Sequence, residues 1–191
     1  MRSKIHVSVL FVFLLLVTLY FSPQIAPAII LAVTIHELGH LLAARLCGIS
    51  PDQFKLGFLG ATIVVQRSLY SYMKECIMCI GGPLANFLSA LIIYPFCDTS
   101  LLCRSFWLYS LSLGILNLLP IKSFDGGRIF SSLLLCKLSP KTVESILNFT
   151  SFILIFTLWS VSVYLLLKIS SSVSLFVFSV AVFAKIFLPD S

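Results

Sequence analysis

Three ionisable side chains lie within one helical turn of each other in an otherwise apolar run, in the sequence His36-Glu37-Leu38-Gly39-His40. Residues four apart share a helix face, so His36 and His40 can present two imidazoles to one ion. Glu37 lies beside them, and zinc held next to a general base has this arrangement. Each charged group at membrane depth disfavours insertion by about 2.5–3.5 kcal/mol, so a bound metal would explain their presence.

A catalytic zinc ion needs a third protein ligand and keeps its fourth position for water. The remaining histidine, His6, lies near the predicted end of a helix, where a solvated role is expected. Asp125 is the better candidate, because Pro120 ends one helix before it and the two glycines after it permit tight turns. In the alternative interpretation, Asp125 only caps the helix that follows.

A second element of small residues, Gly81 to Asn86, is expected to interrupt a predicted helix and to let neighbouring helices approach closely. Asn86 is a buried amide that needs hydrogen-bond partners. It could orient a substrate backbone or bond a neighbouring helix, and the residues alone leave both interpretations open.

The composition excludes a soluble globular domain, since 59% of the 191 residues are hydrophobic and only 10% are charged. An integral membrane protein is therefore predicted, with the lipid bilayer as its surroundings. The net charge of +6 comes from scattered basic residues without a long run, so we expect no nucleic-acid partner.

The predicted fold is an all-α polytopic membrane protein, a single domain over residues 1–191 with its catalytic core at about 25–128. Six apolar stretches approach or reach the ~20 residues that a membrane span requires. They cover residues 5–21, 25–47, 73–94, 101–119, 146–167 and 173–188. The first stretch has a basic start like a signal peptide but no evident cleavage site, so it is interpreted as a span.

Residues 51–66 are rich in glycine and β-branched residues and are too short to span, which predicts a small re-entrant β-hairpin at the cytoplasmic edge. Its sheet edge could accept an extended peptide by strand addition, or the segment could be a capping loop without a substrate contact. Both alternatives stay open.

The basic residues predict the orientation. With both termini in the cytoplasm, only Arg104 and Lys168 of the 13 lysines and arginines lie outside. His36 is then 11 residues from the cytoplasmic end near Cys47, or about 16 Å along the helix. The predicted metal site lies inside the bilayer, nearer the cytoplasmic face of what we expect to be a bacterial membrane.

The six cysteines do not have the spacing of a secreted disulfide framework. Cys76 and Cys79 form one half of a zinc or redox motif that has no second half, so a packing role is preferred. Cys97 and Cys103 share a short loop and could pair if that loop faces an oxidising side.

The three motifs, in this order, resemble the site-2 protease family of intramembrane zinc metalloproteases. They are His36 to His40, the Gly82 to Asn86 element, and the Asn117 to Gly126 element with Pro120 and Asp125. The resemblance covers about residues 25–128. The turn after the first motif is most similar to the branch that contains stage IV sporulation protein FB.

This resemblance implies one zinc ion per chain, held by His36, His40 and Asp125, with Glu37 activating a bound water. It also implies that Asn86 and Asn117 position the substrate or stabilise the developing oxyanion. No nucleotide-sensing domain of the kind that this branch often carries is recognisable up to Ser191, so control by partner membrane proteins is expected instead.

The function predicted from these features is cleavage of a membrane-embedded or membrane-tethered protein near the cytoplasmic face. The released segment could be a transcription factor acting in sporulation or a stress response. A metal-ion or proton transporter is the alternative, because intramembrane His, Glu and Asp also mark ion pathways. An inactive scaffold is disfavoured, since all three candidate ligands and the base are present.

Overall fold

The computed structural model describes residues 4–7, 23–48, 53–57, 60–64 and 71–169. The chain divides into two compact units, Met1–Leu118 and Leu119–Ser191, which are described in turn. In chain order, the described helices and strands are β1 (Lys4–Val7), α1 (Ala26–Leu46), β2 (Gln53–Gly57), β3 (Gly60–Val64), α2 (Tyr72–Ile93), a 3-10 turn (Tyr94–Phe96), α3 (Leu101–Asn117), α4 (Asp125–Leu135) and α5 (Pro140–Ile169).

Helix α1 of the first unit carries the two histidines on its buried face. The helix has a proline in its first turn and is followed by Gly48 at φ 69°, a left-handed conformation that suits glycine. Its buried residues are small or polar and recur at intervals of three and four: Ala28, Ala32, His36, Gly39, His40, Ala43 and Ala44, with Ala26 at the start. Both imidazoles therefore point into the unit.

Helix α2 packs against both α1 and α3 and is continuous through Pro83. The prediction that the Gly81 to Asn86 element interrupts this helix is wrong. Proline removes one backbone donor, but packing along α2 stabilises the helix on both sides of it. Ser71 caps the start of α2 by accepting a hydrogen bond from the backbone N–H of Met73 at 3.4 Å.

The predicted close approach of neighbouring helices is confirmed between α1 and α2. A Cβ added to Gly39 would overlap the carbonyl oxygen of Gly81 and would lie 2.6 Å from the Cβ of Ala85. A Cβ added to Gly81 would lie 2.6 Å from the Cβ of Ala43. Glycine at both positions lets the two backbones meet, as is common between membrane helices.

Helix α3 completes the packing of the first unit. Ser100 caps its start and accepts a hydrogen bond from the backbone N–H of Cys103 at 3.2 Å. A small apolar core joins it to α1 and α2, made of Ala28, Ala32 and Phe106 with Ile35, Ile93 and Tyr109 packed against them.

The helices of this unit have small residues inside and large apolar residues outside. Leu42 of α1 is 62% exposed and Leu91 of α2 is 71% exposed, whereas Ala28 and Asn86 are fully buried. A protein in water has the reverse arrangement, because large apolar side chains are excluded from the solvent. This distribution indicates a hydrocarbon surrounding.

The strands pair in the order β1-β2-β3, with β1 parallel to β2 and β2 antiparallel to β3. The prediction of a helix beginning at Ile5 is wrong for residues 5–7, where alternation of Ile5, His6 and Val7 favours an extended strand. Residues 8–21 lie outside the described part. A re-entrant hairpin at 51–66 stays a prediction, since strand pairing does not define a position relative to a membrane.

The second unit anchors the segment before α4 on the long helix α5. Ser151 accepts a hydrogen bond from the backbone N–H of Lys122 at 2.9 Å. Ile121 is fully buried. The chain that leads into α4 is therefore held on both its polar and its apolar side.

Three helices in the described residues are long and apolar enough to cross a membrane, at Ala26–Leu46, Tyr72–Phe96 and Pro140–Tyr164. They correspond to the predicted spans at 25–47, 73–94 and 146–167, and the mostly helical architecture is confirmed. The total of six spans and the single domain stay predictions, and the predicted span at 173–188 lies outside the described residues.

Candidate metal centre

His36 and His40 meet at their Nε2 atoms, which are 3.1 Å apart. Both residues are buried, and their rings are nearly perpendicular, with centroids 4.7 Å apart. The spacing of four residues along α1 brings the rings together, and the flanking alanines and Gly39 leave room for neighbouring helices to cover them. The geometry gives two nitrogen ligands that point to one place.

Helix α2 supplies a hydrogen-bond partner for the other nitrogen of each ring. Nδ1 of His40 donates to the carbonyl oxygen of Met78 at 2.8 Å. Nδ1 of His36 lies 3.1 Å from the amide nitrogen of the fully buried Asn86. Metal-binding histidines characteristically have such an outer partner, which orients the ring.

Gly82 makes room for the ring of His40. A Cβ at this position would lie 2.6 Å from Cε1 and 2.8 Å from Cδ2 of that ring, and it would overlap Nε2. The imidazole therefore lies directly against the backbone of α2, and only glycine permits this contact.

Glu37 follows the first histidine on α1 and is half-buried, with its Oε2 atom shielded from solvent. It directly follows His36 in the sequence, the position that a general base has in this motif. Its catalytic role stays a prediction.

Asp125 is the first residue of α4 and is half-buried. The residue at the cap position is Phe124, and Asp125 is the acidic residue of the first turn, so a role of Asp125 in stabilising the helix start stays open beside that of a ligand. Gly127 allows the first turn of α4 to lie against the chain before it, since a Cβ there would overlap the carbonyl of Ile121. The carboxylate is thus carried by a tightly packed helix start.

His36 and His40 of the first unit offer two nitrogen ligands, and Asp125 of the second unit offers a carboxylate oxygen, so their joint binding of one metal ion stays a prediction. Two imidazoles and a carboxylate are a donor set that zinc takes in hydrolases. In a tetrahedral site with Zn–N distances of about 2.0–2.1 Å, two nitrogens lie about 3.3–3.4 Å apart. The 3.1 Å between the Nε2 atoms is close to this value, so the histidine pair fits a zinc ion.

The two asparagines predicted to position a substrate have different surroundings. Asn86 contacts His36, whereas Asn117 is half-buried at the end of α3 and donates from its amide to the carbonyl of Leu113 at 3.0 Å. Contact of either asparagine with a substrate stays a prediction.

Sequence reasoning missed the carbonyl of Met78 and the space at Gly82 as parts of this centre. Both lie on the face of α2 that carries Asn86, at intervals of four residues. This spacing was a signal that could have identified them, because two antiparallel helices bring such a row against His36 and His40.

None of the six cysteines forms a disulfide, and all six lie in the described residues. Cys97 follows the 3-10 turn. Burial raises the pKa of its thiol, the neighbouring Asp98 and Cys103 raise it further, and Arg104 lowers it. Pairing of Cys97 with Cys103 in an oxidising compartment stays a prediction.

Comparison with known proteins adds independent information. The chain matches Peptidase family M50 over residues 24–102 and 98–158, which is more than half of its length. A zinc metalloprotease of Methanocaldococcus jannaschii is 32% identical over 161 residues, covering 77% of this chain and 45% of that relative. The chain therefore spans less than half the length of this curated relative.

The fold resembles that of a solved membrane protein. The site-2 protease from Methanocaldococcus jannaschii has a TM-score of 0.69 to this chain at 22% identity, covering 95% of this chain and 88% of that one. The particular branch that contains stage IV sporulation protein FB stays a prediction. The match over residues 24–158 includes both histidines, Glu37 and Asp125, and the chain belongs to peptidase family M50, the family of the site-2 proteases.

Proposed function

We propose that this chain is an intramembrane zinc metalloendopeptidase that cuts a membrane-embedded or membrane-tethered protein near the cytoplasmic face. The observation that carries the proposal is the buried pair of imidazoles on an apolar helix, 3.1 Å apart at Nε2 and each bonded at Nδ1 by α2. Membership of family M50 and the three apolar helices support an integral membrane enzyme.

In this proposal, His36, His40 and Asp125 hold one zinc ion per chain. When bound, zinc lowers the pKa of a water molecule to near 7 and polarises the scissile carbonyl. The half-buried position of Glu37 beside the imidazole pair suits it to take a proton from the attacking water.

The reaction adds the water oxygen to the carbonyl carbon and then breaks the C–N bond. Glu37 takes one proton from the water and later delivers it to the leaving amine, so it returns to its starting state. Asn86 and Asn117 assist by positioning the substrate strand or by donating to the developing oxyanion. The second proton of the water stays on the added oxygen and leaves when the new carboxyl group ionises.

The orientation with both termini in the cytoplasm follows from the distribution of lysine and arginine. It brings the site to about 16 Å from the cytoplasmic end of α1. A cut at this depth would release a cytosolic segment, such as a transcription factor used in sporulation or a stress response, and partner membrane proteins would regulate the cut. The zinc metalloprotease among the relatives supports the enzyme class.

The test is co-expression with a tethered substrate, followed by purification and measurement of zinc. Glu37→Gln should abolish cleavage and keep zinc bound, because the amide cannot accept the proton but no ligand is lost. Asp125→Ala should lose both zinc and cleavage.

Three results would contradict the proposal. Cleavage by Glu37→Gln at the wild-type rate would exclude Glu37 as the base, and stoichiometric zinc in Asp125→Ala would exclude Asp125 as a ligand. Metal or proton flux through the purified protein in liposomes, without peptide hydrolysis, would identify a transporter.

A further inference from the structure

One face of α2 holds both histidines of α1. On this face, Met78 and Gly82 contact His40. Asn86, one turn further along, contacts His36. The carbonyl of Met78 can only accept a hydrogen bond, so Nδ1 of His40 carries the hydrogen. In the neutral ring this leaves a lone pair on Nε2, the atom that faces the other histidine.

The contact between Asn86 and His36 has the opposite hydrogen-bond direction. The amide nitrogen of Asn86 lies 3.1 Å from Nδ1 of His36, while its Oδ1 atom is buried and makes no hydrogen bond within the described part of the chain. In this orientation Asn86 donates, so Nδ1 of His36 accepts and its Nε2 carries the hydrogen. That hydrogen can be donated to Nε2 of His40 at 3.1 Å, which gives a consistent chain of bonds without an ion.

A bound ion requires a different arrangement, because each Nε2 must then offer its lone pair. The hydrogen of the neutral His36 ring must move to Nδ1, which becomes a donor and needs an acceptor. The amide oxygen and nitrogen of an asparagine exchange places when the amide rotates by about 180°. The buried oxygen of Asn86 is therefore an acceptor that α2 can bring to this nitrogen.

We propose that Asn86 is a positioning residue of the metal centre, whose amide rotates so that Oδ1 accepts from Nδ1–H of His36 and directs Nε2 of that ring to the ion. This inference rests on the proposed function, since it assumes that His36 binds zinc. Asn86 thereby accepts a hydrogen bond from Nδ1 of His36, as the carbonyl of Met78 accepts one from Nδ1 of His40.

The rotation has a consequence for the substrate. The NH2 group of Asn86 takes the place that Oδ1 has here, where the described residues offer no hydrogen-bond partner. A donor left buried without an acceptor is destabilising, and a substrate carbonyl would remove that cost. Contact of Asn86 with the substrate and its support of His36 are thus compatible.

The experiment compares metal affinity in purified full-length variants, measured by competition with a chelator and by the visible absorption of bound cobalt(II). Asn86→Leu has a similar size and no acceptor, and it should weaken zinc binding about 10–100-fold, the usual effect of losing an outer partner. Asn86→Asp keeps an acceptor oxygen and should bind zinc far more tightly than Asn86→Leu. Asn148→Leu, at an exposed asparagine that accepts a hydrogen bond from Nζ of Lys122, is the matched control and should bind zinc like the wild type.

The outcomes separate the two proposals. Wild-type protein without stoichiometric zinc would overturn the proposed function and this inference together. Zinc bound by the wild type and equally well by Asn86→Leu would overturn only the inference. If Asn86→Leu fails to fold, Asn86→Asp decides, because its carboxylate can accept from Nδ1–H of His36 and should keep zinc bound. Loss of zinc from Asn86→Asp would overturn the inference.

Discussion

Replacement of Gly82 by alanine should damage the metal centre while leaving most of the fold intact. The new Cβ would lie 2.6 Å from Cε1 of His40, whereas carbon atoms in contact are usually about 3.5–4.0 Å apart. The ring must therefore retreat by about 1 Å. This displacement would break its hydrogen bond to the carbonyl of Met78, now 2.8 Å long, and would move Nε2 from its place beside His36.

The expected effect is a loss of zinc affinity of at least about 10–100-fold, the range found when an outer partner of a metal-binding histidine is removed. Since each factor of ten is about 1.4 kcal/mol, binding becomes weaker by about 1.4–2.8 kcal/mol. Zinc affinity would be measured by chelator competition in detergent, and cleavage of a tethered substrate should fall in parallel.

Gly114→Ala is the matched control for this variant. It makes the same change within a helix, and its Cβ would meet only the ring of Phe87, at 3.0 Å, and no metal-binding side chain. Its zinc affinity should equal that of the wild type. Wild-type affinity in Gly82→Ala as well would refute the reasoning, because His40 would then tolerate a displacement that the geometry forbids.

Two further predictions concern other parts of the chain. Ser151→Ala removes the acceptor of the Lys122 backbone N–H and should lower stability in detergent by about 1–3 kcal/mol. Ser160→Ala, which loses only a hydrogen bond within its own helix, is the control, and an equal effect in both would exclude a role in anchoring. Burial raises the pKa of the Cys97 thiol. The rate at which an impermeant maleimide alkylates a Cys97-only variant should therefore keep rising to a higher pH than for an ordinary thiol. The reagent should reach Cys97 from outside the cell. A Cys136-only variant should react only after permeabilisation, and the reverse labelling pattern would overturn the orientation.

The sequence predicted helix α1 and the meeting of its two histidines well, because both depend on local pattern. The apolar run that became α1 was predicted at residues 25–47 and the helix covers Ala26–Leu46. His36 and His40 were paired from their spacing alone, and their Nε2 atoms do meet. Both results follow from helix periodicity, which is visible in the spacing of residues along the sequence.

Other features depend on tertiary contacts that no local pattern encodes. The continuity of α2 through Pro83 reflects packing that outweighs a helix-breaking residue. The partner of His40 is a backbone carbonyl, and a carbonyl belongs to every residue, so the spacing of Met78 from Asn86 could indicate it but its residue type could not. For Asn86 the residue type was informative, but its contact with His36 required the antiparallel alignment of two helices.

The close contact of Gly39 with Gly81 also constrains the order of events during biosynthesis. While α1 alone has entered the membrane, its imidazoles lack Met78 and Asn86, which emerge from the ribosome about 40 residues later. If His36 and His40 bind zinc as proposed, tight binding should follow the closure of the two helices at their glycines. A nascent chain that has inserted only α1 should therefore hold zinc weakly until α2 has arrived.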